Sequence, residues 1–341
     1  ELKTLQAQRN SLAQPVQAYA GTFSQPGPTH RLYRGDPMAK KEEVAPDAIS
    51  IMGSLNLERD TPEQQRRLKF AEFVADAENP FTSRVIVNRL WQFHFGTGIV
   101  ATSSDFGKNG AAPTHPELLD WLAAELVENQ WSLKHIHRQI LLSKSWQQTS
   151  LPNEKGLAID ASARLLWRYP PRRLDAESIR DCILSVSEVI DLRMGGPGFS
   201  GFEVDLENVR HFHPKTSYGP EDFRRMIYMT KVRQEQDSVF GVFDCPDASQ
   251  VVPQRSRSTT PLQALSLMNS EFIMQQAKFF SERLQKDAMS PNEQIKLAFR
   301  LCFNREPTSQ EMSASSTFVN SEGIPLFCRA LLNANEFLFV Q

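Results

Sequence analysis

Two arginines separated by one residue, Arg255 and Arg257, precede a helix start at Thr259 or Thr260. A guanidinium offers several N–H donors in a planar fork that fits a carboxylate, sulfate or phosphate group. The N-terminus of a helix also favours anions, through its free N–H groups and its dipole. We therefore expect an anion-binding site formed by the two arginines and the N–H groups after Thr260, near the Gly-rich residues 194–220.

The alternative role for these arginines is structural. Asp244 and Asp247 lie close in sequence and could pair with the two guanidiniums, which would fix the loop and leave no donor for a ligand. A similar local pairing is expected for Glu177, which can reach Arg180 along one helix. The two interpretations therefore differ in where each guanidinium is directed.

A second concentration of polar side chains falls within residues 79–122 and could be an active site or a structural hub. Its members are Arg84, Asn88, Arg89, His94 and His115. In an active site, His94 would act as a base, and His115 would be a neutral base at the first position of a helix, where the dipole disfavours protonation. In a hub, the first three would donate to backbone carbonyls of residues 102–113, a loop whose polar groups need partners.

The spacing of cysteines and histidines predicts neither a metal centre nor a haem attached to this chain. The sequence contains no C-x-x-C, no C-x-x-C-H and no H-E-x-x-H. Cys302 and Cys328 lie in apolar helical patterns and are expected to be buried thiols, with a disulfide between them left open. His211 and His213 would share one face of an extended chain and could approximate a metal triad with Glu207, the alternative being an exposed loop.

Composition excludes several classes of protein. The chain of 341 residues is 40% hydrophobic and 23% charged, which is ordinary for a globular protein. Its net charge is −2 and no basic stripe is present, whereas a nucleic-acid-binding protein usually has one. No apolar run approaches the roughly 20 residues that cross a bilayer. We therefore expect no nucleic-acid partner and no transmembrane segment.

Helix-start signals predict a mainly α, multi-helix globular domain with a few short β-strands near the N-terminus and in the middle of the chain. A Thr or Ser followed three residues later by Glu or Gln is a capping box, in which each side chain bonds the other residue's backbone N–H. This pattern begins at Thr61, Thr114, Thr260, Ser290 and Thr308. Another helix is expected from Pro80 to about His94, ending before Gly96.

Strand signals are short and local, and they suggest a division of the chain. Residues 15–23 and 30–35 could form a hairpin, and residues 224–232 have strand-like content but are also compatible with a helix. We expect four segments: an N-terminal segment with a short β-hairpin, a helical core subdomain, a Gly/Pro-rich loop and strand region, and a C-terminal helical subdomain packing on the core. Their predicted ranges are 1–60, 61–192, 193–260 and 261–341.

Several long motifs carry a family resemblance. The runs NPFTSRVIVNRLWQFHFGTGIV, PPRRLDAESIRD and PQRSRSTTPLQALSLMNS resemble the C-terminal domain of unknown function in planctomycete-type, cytochrome-c-associated surface proteins. The resemblance covers nearly the whole chain. It implies an exported protein, in the periplasm or at the cell surface, in which upstream domains of the same polypeptide are the partners and carry the haem c.

The resemblance transfers no catalytic residue, because that family has no assigned activity, but its members lie near polysaccharide-degradation genes. Two function classes follow. The first is a non-catalytic binding or scaffold domain that engages acidic or sulfated polysaccharide. The second is a carbohydrate-active enzyme, an oxidoreductase or hydrolase, coupled to an upstream cytochrome c domain. Convergent buried titratable groups would favour the enzyme, and a basic groove would favour binding.

Overall fold

The computed structural model describes residues 2–13, 20–206 and 210–340 of the chain. Within them the fold is mainly helical, which confirms the fold class expected from the sequence. The helices are α1 (Leu2–Ala13), α2 (Glu63–Ala75), α3 (Thr82–Phe95), α4 (Pro116–Glu128), α5 (Leu133–Leu142), α6 (Glu154–Ile159), α7 (Ala176–Val186), α8 (Pro261–Asn269), α9 (Glu271–Asp287), α10 (Pro291–Phe303), α11 (Ser309–Glu322), α12 (Ile324–Leu332) and α13 (Asn335–Leu338).

Short strands in the described ranges form three separate antiparallel pairs. The pairs are β1 (Thr29–Leu32) with β2 (Lys40–Val44), β3 (Arg172–Arg173) with β6 (Phe339–Val340), and β4 (Phe202–Leu206) with β5 (Arg210–Pro214). Residues 224–232 form a single 3₁₀ turn at Met226–Tyr228, and only isolated bridges join them to other segments. Few sheet hydrogen bonds are therefore available, and helix packing has to supply the core.

The hairpin predicted near the N-terminus has a different partner strand. Thr29 pairs with Val44, so β1 pairs with the downstream strand β2. Residues 20–23 form no strand, so the predicted pairing is wrong for them, and residues 15–19 lie outside the described part of the chain. The downstream pairing follows from the reversal of the chain after β1, where Arg34 and Gly35 both have positive φ.

The first of two compact units comprises Glu1–Val87 and Asp120–Ser132. It holds α1, β1, β2 and α2, with the beginning of α3 and most of α4. Leu122 and Leu126 of α4 are buried, whereas α2 has no buried residue. The buried apolar side chains of this unit are therefore concentrated on α4 and not on α2.

The second unit, Asn88–Leu119 and Leu133–Gln341, contains the large hydrophobic core. The core is built where α7, α9, α10 and α12 direct apolar side chains inward, and several of these are fully buried: Ile179, Ile183, Leu184, Ile273, Phe280, Leu284, Ala298, Cys328 and Leu332. Burial of this apolar surface is the main favourable contribution to folding. The four-segment division made from the sequence stays a prediction.

Three of the predicted capping boxes are confirmed, at Thr260, Ser290 and Thr308. The other two expected starts differ. Helix α2 begins at Glu63 with Pro62 at its cap position, and α4 begins at Pro116, because Thr114 donates its hydroxyl to the carbonyl of Ile99. His115 had been expected at the first position of α4. It instead precedes the helix.

Helix α3 ends as the sequence predicts. Its last residue is Phe95, and Gly96 follows with a φ of +87°, a conformation that favours glycine. At its other end, Oδ1 of Asn79 accepts hydrogen bonds from the N–H groups of Phe81 and Thr82. Among the described helices, none has both the length and the apolar content that crossing a membrane requires.

Candidate anion-binding site

Arg255 is held by a carboxylate that the sequence analysis assigned to another partner. Its Nη1 donates to Oε2 of Glu177 at 2.6 Å, and its Nη2 donates to Oε1 at 2.9 Å. Although burial alone would raise the pKa of Glu177, the hydrogen bonds from Arg255 keep that pKa below its ordinary value. The expected pairing of Glu177 with Arg180 is therefore wrong, since α7 directs Glu177 toward the loop before α8.

The two aspartates expected to hold the arginines bind other groups. Asp244 accepts from Arg173 at 2.7 Å and from the backbone N–H of Ser258 at 2.8 Å. Burial alone would raise the pKa of Asp244, but the bonds from Ser258 and the charge of Arg173 hold it below its usual value. Asp247 accepts from Ser249, at 3.0 Å from its N–H and 2.6 Å from its hydroxyl. The predicted pairing with the two arginines is wrong because both carboxylates fold onto nearer groups.

Arg257 has no hydrogen-bond or ion-pair partner among the described residues. Its guanidinium lies against the backbone at Gly96, where a Cβ would stand 2.6 Å from its Nη1. Partial burial, and then the charge of Arg172, lower the pKa of Arg257. An arginine remains charged in such surroundings, so Arg257 is a cation with unused donors.

A cavity of about 140 Å³ lies beside Arg257, and we call it cavity A. Three arginines line it, Arg164, Arg172 and Arg257, together with His115. Among the described residues of its lining there is no Asp or Glu. Trp91, Phe95, Gly96, Thr97, Gly98, Thr114, Ser162, Ala163, Leu166, Pro170 and Pro171 complete the wall. The cavity is therefore electropositive and its wall is in part apolar.

Arg172 is fixed by two bonds that leave part of its guanidinium unpaired. Its Nη1 donates to the carbonyl of Phe93 at 2.5 Å, and its Nε donates to the hydroxyl of Tyr169 at 3.0 Å. That hydroxyl donates in turn to the carbonyl of His94 at 3.1 Å. The end of α3 thus positions Arg172 in the wall of cavity A without neutralising its charge.

A second cavity of about 190 Å³, cavity B, is also lined by Arg257. It shares Gly96 and Arg257 with cavity A and is further lined by Arg89, Gln92, Phe93, Asp175, Pro246, Val252, Pro253, Gln254 and Arg255. The described residues of the Gly-rich range 194–220 line neither cavity. An anion site near that loop stays a prediction.

The start of α8 contributes less than expected. Pro261 is its first residue and has no N–H, while the N–H of Gln263 already donates to the carbonyl of Thr260. The side chain of Gln263 accepts from the N–H of Thr260 at 3.3 Å. Thr259 is exposed, and neither threonine lines cavity A or B. The capping box satisfies this helix end internally, so the arginines alone carry the site.

The five residues of the predicted polar hub have separate roles. Asn88 is fully buried and bonds both backbone groups of Val100, with distances of 3.0 and 2.8 Å. Arg84 donates to Asp120 and to the carbonyl of Pro80, and Arg89 lies over the ring of Phe93. The predicted donation by the two arginines to residues 102–113 is therefore wrong, because each has a nearer partner.

The two histidines of the hub also differ. Nε2 of His94 lies 2.7 Å from Nδ1 of His137, and its ring packs edge-on against Trp146. Burial, followed by the charges of His137 and Arg172, lowers the pKa of His94 to about 4. His94 is therefore a neutral, hydrogen-bonded ring and does not line cavity A. His115 does line it, with Nδ1 2.9 Å from the hydroxyl of Thr114.

Arg164 and Arg172 line cavity A but were not predicted as members of the candidate site. Arg172 is adjacent to Arg173 in sequence, and this doublet is one of the most basic points of the chain. Its position in a strand that meets the end of the chain, β3 against β6, depends on pairing over more than 160 residues. No local pattern contains that information.

No group of three or more His, Cys, Asp or Glu residues in the described ranges could hold a metal ion. Nε2 of His213 lies 3.1 Å from Asp205 on the exposed hairpin, and Glu207 is outside the described residues. All four cysteines are free thiols. Burial raises the pKa of both Cys302 and Cys328, so these two are unreactive core residues.

Comparison with protein families gives one match. The family is described as PSD1, protein of unknown function (DUF1553), and the match covers residues 66–319, more than half of the chain. Comparisons with curated proteins and with solved structures give no significant match. The matched residues include α3, α7, α8 and both cavities, so the candidate site lies within the family domain.

Proposed function

The chain belongs to the PSD1 family of unknown function (DUF1553), and we propose that it is a non-catalytic binding domain for an acidic or sulfated polysaccharide. Cavity A would hold the carboxylate or sulfate group of the sugar. The observation that carries the proposal is that three arginines line one cavity whose described lining has no acidic residue.

Electrostatics supports an anion as the ligand. Burial lowers the pKa of Arg257 most, and repulsion from the charge of Arg172 lowers it further. A bound anion would remove the repulsion and accept hydrogen bonds from the donors that are unpaired in the free chain. A neutral sugar would bring no such gain. We therefore expect the site to discriminate by charge.

The lining of cavity A favours binding over hydrolysis. Most glycoside hydrolases need a pair of carboxyl groups that flank the scissile bond, one of them as an acid. The described lining offers arginines, one histidine and apolar side chains. These residues can orient an acidic sugar, but they provide no such pair. If the chain were instead the carbohydrate-active enzyme considered above, its catalytic residues would have to lie outside cavity A.

The wider setting of the proposal comes from the sequence resemblance. We propose that the domain works outside the cytoplasm, in the periplasm or at the cell surface, within a longer polypeptide whose upstream domains bind haem c. In that arrangement the present chain would keep acidic polysaccharide close to the neighbouring domains. This chain has no C-x-x-C-H segment, so haem c would belong to the neighbours alone.

Calorimetric titration with galacturonate, a sulfated monosaccharide and glucose tests the proposal. We expect the two acidic sugars to bind and glucose not to bind. Arg257→Gln should weaken acidic-sugar binding about tenfold, roughly 1.4 kcal/mol, with little loss of stability because Arg257 has no partner in the described chain to lose.

The matched control is Arg233→Gln, since Arg233 is exposed and lines neither cavity. It should bind acidic sugars as the wild type does. Equal binding of glucose and galacturonate would refute charge recognition. A large drop in melting temperature for Arg257→Gln would show that this arginine is structural.

A further inference from the structure

Cavities A and B adjoin one another at a single cation. Arg257 and Gly96 line both of these spaces, whose volumes are about 140 and 190 Å³. On the A side the further arginines are Arg164 and Arg172, and on the B side they are Arg89 and Arg255. The basic side chains are thus spread across two neighbouring spaces.

We infer that the two cavities are consecutive subsites for one linear polyanion, whose adjacent acidic residues lie on either side of Arg257. This inference rests on the proposed function and names its ligand class more closely: a polymer with a negative group on successive sugars. A ligand with one charge would occupy cavity A alone. In a ligand with two neighbouring charges, both acidic groups would contact Arg257, and the second would also contact Arg89.

The walls of cavity B suit a sugar in addition to a charge. Phe93 is 52% exposed, and the guanidinium of Arg89 lies 5.8 Å from the centre of its ring. The exposed part of an aromatic ring can contact the apolar side of a pyranose, while the arginine beside it binds an acidic substituent. Helix α3 places both residues on the same side, since they are four positions apart.

Gln92 adds a polar group for sugar hydroxyls. It lines cavity B, and its Nε2 donates to the carbonyl of Pro253 at 3.2 Å. That bond fixes the orientation of the amide, and its Oε1 has no hydrogen-bond partner in the described chain. A buried acceptor without a partner is costly, and it indicates a missing donor. A hydroxyl group of a bound sugar would supply one.

Cavity B is the weaker subsite because it contains a carboxylate. Asp175 lines it, and Arg255 in the same wall is already paired with Glu177. The pKa of Arg255 is raised mainly by its bond to Glu177 and less by the charge of Asp175, and the same charge opposes the lowering of the pKa of Arg257. Asp175 therefore offsets part of the positive potential. An anion in cavity B therefore needs the help of a neighbour bound in cavity A. The affinity should therefore increase with the number of acidic sugars in the ligand.

Titration with mono-, di- and trigalacturonate tests this inference. We expect affinity to rise at least tenfold from the monomer to the dimer, with a steeper dependence on salt for the dimer because more charge pairs are screened. Arg89→Gln should remove the gain with length and leave monomer affinity unchanged. Arg164→Gln should weaken both ligands, because it lies in cavity A.

A further variant is expected to strengthen binding, so the test does not rely only on variants that weaken it. Asp175→Asn should tighten the dimer several-fold more than the monomer, since it removes the negative charge of cavity B. Equal affinity for monomer and dimer in the wild type, or an equal effect of Arg89→Gln on both, would overturn the two-subsite inference while leaving cavity A intact. Absence of monomer and dimer binding alike would instead contradict the proposed function.

Discussion

Arg255 donates two hydrogen bonds to Glu177, at 2.6 and 2.9 Å, across 78 residues of sequence, whereas Arg257 has no bonding partner in the described chain. Two neighbouring arginines of similar appearance therefore have different roles. The first ties the loop before α8 to helix α7, and the second keeps its donors free in the wall of two cavities. The structural interpretation therefore describes Arg255, and the ligand-binding interpretation of Arg257 stays a prediction.

Glu177→Gln should reduce stability by about 1–2 kcal/mol, between the values typical of exposed and of buried ion pairs. The reason is that both side chains are partly buried, with exposed fractions of 36% for Arg255 and 26% for Glu177. Urea denaturation would measure the loss. As a control, Glu42→Gln breaks a fully exposed pair with Arg31 and should have no measurable effect. Equal stability of all three proteins would contradict the anchoring role.

Asn88→Ala should destabilise the chain by about 2–4 kcal/mol. Its amide satisfies both the N–H and the carbonyl of Val100, and each orphaned buried group costs about 1–3 kcal/mol. Asn88→Asp should be at least as harmful, because a carboxylate oxygen would then face the Val100 carbonyl. Guanidinium denaturation measures the loss, and the dependence of the free energy of unfolding on denaturant concentration is compared between the variants and the wild type. A loss below about 1 kcal/mol for both variants would show that water replaces the amide.

Local features of this fold can be predicted from the sequence, because the interacting groups lie within one turn of helix. The capping boxes at Thr260, Ser290 and Thr308 are of this kind, as is the end of α3 before Gly96. Helix α9 had a readable apolar stripe as well, with Phe280 and other residues fully buried. It was not predicted, because its cap residue Ser270 is followed three positions later by Ile273 and not by Glu or Gln.

Hydrogen-bond partners that lie far apart in the sequence could not be predicted in the same way. Proximity in sequence favoured Asp244 for the arginines, but the chain turns there with Asp244 in the left-handed conformation, and its carboxylate meets Arg173 and Ser258. Glu177 reaches Arg255 only because α7 packs beside the loop. The sequence thus predicts an anion site at Arg257, while the arginines that complete it depend on tertiary packing.

Acidification should destabilise the chain through His94. Its pKa is about 4 in the folded chain against an ordinary value of 6.5, so the unfolded state binds more protons between these values. The free energy of unfolding therefore rises with pH across this window. The contribution of His94 to stability is lost as pH falls from 6.5 toward 4. Because the ring is only partly buried, we expect about 1–2 kcal/mol from this group. Urea denaturation at pH 4.5 and pH 7 should show a smaller difference for His94→Gln than for the wild type. Equal differences would exclude the histidine as the cause.

Gly96→Ala should weaken both stability and anion binding, and Gly195→Ala separates the two effects. Both glycines have positive φ, +87° and +74°, so an alanine at either position costs about 1–2 kcal/mol of backbone strain. At Gly96 the added Cβ would also stand 2.6 Å from Nη1 of Arg257, whereas at Gly195 it meets nothing within 4 Å. Gly96→Ala must therefore displace the guanidinium that both cavities share, and galacturonate affinity should fall about tenfold. Gly195→Ala should lose stability and bind normally. Thermal unfolding and calorimetric titration of the two variants give the comparison, and equal affinities would mean that Arg257 does not contact the ligand.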